Sequence, residues 1–220
     1  MAAGSTKNIV IVGNSGFARE CFLTLRKMKE AGSDIAVRGF LSFEGYSENL
    51  KELASMQLCD DEAYAFGPDD YAVIGLGGPK LRHKAYYKLK EKGVRFFTIV
   101  HPKAYVDHTT TLGEGNIFCA RSYVTCNCAI GSGNVFNGPI HVGHDTVMGD
   151  CNFVGPGAQI LGCVSMGSMN SVGALSVLLP KCRIGNGNII APLSAVYKGC
   201  RDNVYLAGNP AVKVGQVHSD

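Results

Sequence analysis

A histidine followed by an aspartate, His144-Asp145, is the strongest candidate for chemistry in this chain of 220 residues. Imidazole ordinarily titrates near neutral pH, so it can take a proton from a nucleophile and hand it on. A carboxylate beside it can hold the ring's tautomer or raise its basicity. His144 follows Val142 by two places, and its neighbours Gly143 and Asp145 suit a turn. No cysteine or serine adjoins it in sequence, so nothing demands a covalent enzyme intermediate. His141 raises a zinc reading. A three-histidine site would need a further ligand, and the nearest, His108, stands far away in sequence; no metal is expected.

Two glycine turns offer a second chemistry. Gly13-Asn14-Ser15-Gly16 follows an apolar run from Lys7 to Val12, and Gly77-Gly78-Pro79 follows another from Tyr71 to Leu76. Each precedes a stretch with helical spacing, so each places free N–H groups where a phosphate binds. Tight strand-to-helix turns also need glycine for their own sake. Neither turn is a G-x-G-x-x-G or Walker A sequence, which weighs against NAD and ATP. Arg82, one turn into the second helix, either reaches a pyrophosphate or is a surface charge. Asn137 either bonds a ligand or occupies a corner. Lys198, Arg201 and Lys213 near the end are solvated charges or partners of a phosphorylated cofactor.

These residues must be positioned by two unlike halves. Residues 7–12, 35–40, 71–76 and 95–100 read as strands, 17–29 and 80–92 as helices. Cys21, Phe22, Leu25 and Met28 form one apolar stripe. The alternation predicts a small Rossmann-like parallel α/β domain over residues 1–103. From Val106 to Val196 every sixth residue is apolar, sixteen in succession, a run that chance would give about four times in a million. Gly113, Gly131, Gly149, Gly167 and Gly185 add a beat of eighteen. Six residues make a short strand and a corner; eighteen make a triangular coil. The pattern predicts a parallel β-helix over residues 104–220, with small inward residues such as Ser122, Thr146 and Ser176 two places before the apolar ones. Glycine is expected at the corners for its turn geometry. Residues 90–104 and 200–220 are expected to cap the two ends.

Composition excludes several classes. A net charge of +3 with no basic run longer than two argues against nucleic acid. No apolar stretch reaches the length of a membrane span, and the first residues lack the pattern of a signal peptide. Nine cysteines, an odd number, lie scattered at repeat positions, and Cys126-Asn-Cys128 lacks zinc-knuckle spacing. They read as reduced packing residues of a cytoplasmic protein.

The hexads resemble the left-handed β-helix of hexapeptide-repeat acyltransferases. The whole chain is similar to bacterial nucleotide-amino-sugar N-acetyltransferases, namely those acting on UDP-4-amino sugars in diacetylbacillosamine synthesis and on perosamine. Sialic acid O-acetyltransferases share the architecture. The Gly13–Gly16 turn carries the resemblance, with Asn137, His144-Asp145 before Val147-Met-Gly-Asp150, and Ala207-Gly-Asn-Pro-Ala211. It implies a homotrimer with acetyl-CoA between neighbouring β-helices, His144 as general base and Asp145 as its acidic partner. Phe153, Gly162, Ala174 and Pro192 would line the cofactor. Ser15, Gly16, Phe17, Ser42, Gly77, Gly78 and Asn137 would meet a nucleotide-linked sugar, of the 4-amino-4,6-dideoxy type. The Gly162 corner would supply an oxyanion donor. Two departures stand out. Phe153 replaces a histidine of several relatives, and Ser42-Phe43 replaces the acidic pair of UDP-sugar relatives, which predicts a different nucleobase. The alternatives are a sugar O-acetyltransferase on the same scaffold and a non-catalytic nucleotide-sugar-binding scaffold.

Overall fold

A computed structural model describes residues 6–45 and 50–217. Residues 1–5 and 218–220, the ends of the two expected domains, lie outside it, as do 46–49. The first half is a four-stranded parallel sheet in the order β3-β2-β1-β4. It comprises β1 (Lys7–Val12), β2 (Ile35–Ser42), β3 (Gln57–Asp60) and β4 (Asp70–Ile74). Helix α1 (Gly16–Glu30) follows β1, and α2 (Pro79–Glu91) follows β4. Residues Ile9 to Val12 are wholly buried, as a central parallel strand requires. Helix α1 buries Ala18, Cys21, Leu25 and Met28 along one stripe, while Phe22 is only half-buried.

The edge strand β3 has no apolar alternation and was not foreseen. Residues 95–100 do not form a fourth strand of this sheet. Phe96 makes a lone bridge to Ala72, and Ile99–Val100 instead pairs with Ile117–Phe118 of the second half. The stack therefore begins inside the stretch expected as a cap, because Ile99 extends the column of Ile117 and Val135 that α1 covers.

The second half is a left-handed parallel β-helix whose coils lay strands of two or three residues onto three sheets. The first face runs from Ile99–Val100 to Ile189–Ile190, the second from Tyr105–Val106 to Ala195–Val196, and the third from Thr111–Leu112 to Gly199–Cys200. Every hexad residue from Phe118 to Val196 is buried. Leu112 is exposed and Val106 half-buried, because the lowest coil has nothing beneath it. Phe118 and Phe136 stack inside the prism at 4.6 Å. Ser122, Thr146 and Ser176 are buried, and each donates its hydroxyl to a backbone carbonyl.

The glycine beat has another cause than the one expected. Gly113, Gly131, Gly149, Gly167 and Gly185 do not adopt left-handed backbone. A Cβ on Gly131 would lie 2.3 Å from Asp150 Oδ1 and 2.8 Å from the Gly149 oxygen, and the others are as crowded by the coil above. They are glycine because coils stack too closely for a side chain. Three residues after each, the buried asparagines Asn116, Asn134, Asn152, Asn170 and Asn188 form a ladder. Each Oδ1 accepts the backbone N–H of the asparagine one coil on, at 2.8–2.9 Å. The ladder ends where Asn188 Oδ1 accepts the Val204 N–H. Val204–Ala207 still adds in parallel, and Val212–Gln216 closes the first face antiparallel.

The halves meet along the first face. Phe17 packs edge-on against Phe153 at 5.9 Å, and the Tyr87 hydroxyl donates to Asp150 at 2.9 Å.

Candidate functional site

His144 sits at the corner between the second and third faces, opposite the first face and its attached domain. This corner repeats through four coils at Asn127, Asp145, Cys163 and Lys181, with φ of 56, 57, 60 and 65°. That left-handed turn is one that aspartate and asparagine tolerate better than most residues. It lifts Asp145 so that His144 Nδ1 and Asp145 Oδ2 meet at 2.7 Å, with the side chains 60% and 52% exposed. A carboxylate only accepts, so with the imidazole neutral the proton lies on Nδ1 and Nε2 keeps its lone pair.

The coil above explains where the ring lies. Gly162 stands eighteen residues after His144, and a Cβ there would lie 2.6 Å from His144 Nε2. The missing side chain is the space the imidazole occupies. Cys163 stands eighteen residues after Asp145, and its backbone N–H donates to the His144 carbonyl at 2.8 Å. One donor atom from each of His144, Asp145 and Cys163 lies within 4.8 Å of the others, the metal-compatible group among the described residues. Sequence adjacency missed Cys163; the eighteen-residue period would have found it. His141 points elsewhere, stacking on Tyr123 at 6.0 Å in an aromatic row with Tyr105.

The glycine turns come together at the other end of the chain's design. Strands β1 and β4 are neighbours, and the sheet's strand order reverses between them, the place where open α/β sheets bind ligands. Gly13 is needed by the fold: its φ is 111°, and a Cβ would lie 2.9 Å from Leu76. Gly77 and Gly78 are not. Both have ordinary backbone, and a Cβ on either would meet nothing within 4 Å. Ser15 and Gly78 are the N-cap residues of α1 and α2. Neither helix has a side-chain cap or an acidic residue in its first turn. Helix N-termini of this kind are places that favour an anion, although Pro79 gives the second one fewer N–H donors. Gly78, Pro79 and Leu81 border a cavity of about 490 Å³ whose other wall is Met169, Ser171 and Ile189 of the β-helix.

Gly16 has space on its open side, with only Arg19 Nη2 at 3.7 Å from a Cβ. Phe17 is engaged with Phe153 in the seam between the halves. Ser42 donates to Asp60 Oδ2 at 2.9 Å, while Phe43 is buried and cannot reach a ligand. Asn137 lines a second cleft, about 350 Å³, with Thr24 and Lys27 of α1 and with His101. His101 was not singled out in the sequence; burial first, then nearby Lys103, lowers its pKa. Ala174 and Pro192 stack at the corner between the first and second faces, one corner away from Gly162. Phe153 stands in a strand of the first face, so the four positions span one face and two corners of the prism. Arg201 and Lys213 share a hollow at the last coil. Arg82 is not a surface charge. It is completely buried, its guanidinium donates to the Leu76 carbonyl, and it lies over the Phe17 ring at 5.4 Å. Burial pulls its pKa down to about 10, which leaves it charged at neutral pH. It braces the turn from beneath instead of meeting solvent.

The fold, a small α/β domain ahead of a left-handed parallel β-helix, is shared with solved acetyltransferase structures. Among solved structures, the acetyltransferase domain of PglB from Neisseria gonorrhoeae, in complex with acetyl coenzyme A, superimposes with a TM-score of 0.85 at 16% identity, covering 95% of this chain and 100% of that one. PerB from Caulobacter crescentus, in complex with CoA and GDP-perosamine, gives 0.80 at 22% identity, covering 97% and 100%. WeeI from Acinetobacter baumannii gives 0.80 at 23% identity, covering 95% and 100%. No family model and no curated protein sequence matches the chain.

Proposed function

We propose that this protein transfers an acetyl group from acetyl-CoA to the amino group of a nucleotide-linked amino sugar. One observation carries the reading. Two uncapped helix N-termini meet at the point where strand order reverses, and the glycines of the second turn, Gly77 and Gly78, serve no need of the fold. Such a place suits a pyrophosphate with a bulky substituent. The complexes of PglB with acetyl coenzyme A and of PerB with CoA and GDP-perosamine support the choice of both substrates.

In this reading the substrate amine attacks the thioester carbonyl carbon while His144 Nε2 accepts its proton. Asp145 holds the ring's other proton and offsets the imidazolium charge. The resulting oxyanion is met by a backbone N–H near Gly162. Collapse breaks the C–S bond, and the leaving CoA thiolate takes the proton back from His144. No serine or cysteine is acylated.

Geometry also supports a shared site. His144 lies on the corner opposite the face that carries the sugar domain, so one chain cannot bring Gly77 and Gly78 to its own imidazole. A neighbouring copy must, and a homotrimer supplies it around a three-faced prism. Nine free cysteines fit a reducing cytoplasm. The defining experiment presents acetyl-CoA and UDP-, dTDP- and GDP-linked 4-amino sugars, reading thiol release and product mass. Light scattering should give three times 23.4 kDa. Transfer to one nucleotide amino sugar is the expected result. Thiol release with none of them, or full activity in a monomer, overturns the reading.

A further inference from the structure

We propose that His144, Asp145 and Cys163 form a site for a thiophilic divalent cation, Zn²⁺ above all, whose occupancy switches the enzyme off. The switching rests on the function proposed above; the binding does not.

The donor set is one imidazole, one thiol and one carboxylate. Zinc, cobalt and cadmium accept all three, whereas magnesium and calcium prefer an all-oxygen shell. The three donor atoms lie within 4.8 Å of one another. Ligands around tetrahedral zinc stand about 3.3–3.7 Å apart, given bonds of about 2.0–2.3 Å. Closing the site therefore asks for about 1 Å of side-chain movement. His144 and Asp145 are more than half exposed, so their rotamers are free to make it.

The backbone fixes the remaining geometry. Asp145 and Cys163 occupy the same left-handed corner in successive coils, with φ of 57 and 60°. The Cys163 N–H donates to the His144 carbonyl at 2.8 Å, which ties the two coils together at the site. The register of the β-helix thus stacks the thiol on the carboxylate. Cys126, the other exposed cysteine, belongs to no such group. Three protein ligands leave a fourth position open for water or an external thiol.

Occupancy removes the base by either route. A metal on Nε2 fills the lone pair that takes the substrate proton. A metal on Nδ1 leaves the ring proton on Nε2, which then has no lone pair to accept with.

The test uses the full chain freed of metal by a chelator and titrated with Co²⁺. One cobalt per chain should bind, with a thiolate-to-cobalt charge-transfer band in the near ultraviolet, and Zn²⁺ should displace it. Cys163→Ser should abolish the band and weaken binding about tenfold or more. It should leave acetyl transfer in chelator unchanged and make the enzyme resistant to Zn²⁺. Cys126→Ser should behave as the wild type. A band that survives Cys163→Ser, or is lost in Cys126→Ser, overturns the site. So does failure to bind cobalt at millimolar concentration. Equal inhibition of wild type and Cys163→Ser by Zn²⁺ overturns the switch. If no acetyl transfer is found with any substrate, the cobalt spectrum still decides the site independently.

Discussion

Replacing Gly162 by alanine should cripple catalysis while leaving the fold nearly intact. Gly162 does not use left-handed backbone, so alanine is conformationally acceptable. Its Cβ would lie 2.6 Å from His144 Nε2, 2.8 Å from Cε1 and 3.1 Å from Cδ2. Non-bonded carbons rest at about 3.5–4.0 Å, so the ring must retreat by about 1 Å. It is exposed and can swing outward, so the melting temperature should fall by less than about 4 °C, the equivalent of about 1 kcal/mol in a chain this size. A base displaced by about 1 Å can lose about a hundredfold in rate, close to 2.7 kcal/mol of barrier. Thiol release under saturating substrates should therefore show kcat down about a hundredfold, with KM for acetyl-CoA little changed. In a His144→Ala background the same substitution should cost nothing more, because the group it displaces is gone. A wild-type kcat in Gly162→Ala would refute the assignment of His144 as base. A further loss in the double variant would show that Gly162 serves the cofactor directly.

Three other outcomes follow from the geometry. His144→Ala should lower turnover by about 10²–10⁴ with the fold preserved, and Asp145→Ala by less, as kcat measurements would show; a fully active His144→Ala would place the proton elsewhere. Asn152→Ala should cost about 3 kcal/mol, since it strands the Asn170 N–H and side-chain amide that share the Asn152 Oδ1. That is a drop of about 6–12 °C in melting temperature, and an unchanged Tm would mean that the ladder is not under load. The hydrogen bond to Asp150, more than burial, raises the Tyr87 pKa to about 12 from an ordinary 10. A raised folded-state value stabilises below the ordinary one and is lost as pH climbs through the raised one. The Tm gap between wild type and Tyr87→Phe, measured from neutral pH upward, should close between pH 10 and 12; a gap that persists refutes the clamp.

The repeat was legible because a prism interior accepts one kind of side chain at each step, and Phe118 to Val196 obey it without exception. The glycine turns and the His144-Asp145 pair were legible because their chemistry is local in sequence. Three features were not. Residues 95–100 read as a strand, but which sheet claims Ile99 depends on the column it joins, and that is long-range information. A surface charge was one of two readings left open for Arg82, because sequence does not reveal that Phe17 and Leu76 close over it. Cys163 was overlooked because its partner is one coil away. The signal was present, since the period that aligns Gly149 with Gly167 also aligns Asp145 with Cys163. The four expected cofactor positions lie apart, Phe153 in a strand of the first face and Gly162, Ala174 and Pro192 at two corners, a spread that the spacing of the residues alone did not reveal.

The asparagine ladder sets a grammar for how this protein can change length. Each amide grips the next at a step of eighteen, so insertions and deletions within the prism are tolerated as whole coils and penalised otherwise. A loss of six residues would present the wrong face to Asn152, and a loss of one would turn its interior outward. At the last rung the step shortens to sixteen, both from Asn188 to Val204 and from Asn186 to Asp202. That mismatch acts as a stop signal, since the next coil has no asparagine in phase and the chain turns back on itself. Lineages of this scaffold should therefore differ in height by duplicated or deleted blocks of eighteen codons, with the sixteen-residue step always at the end.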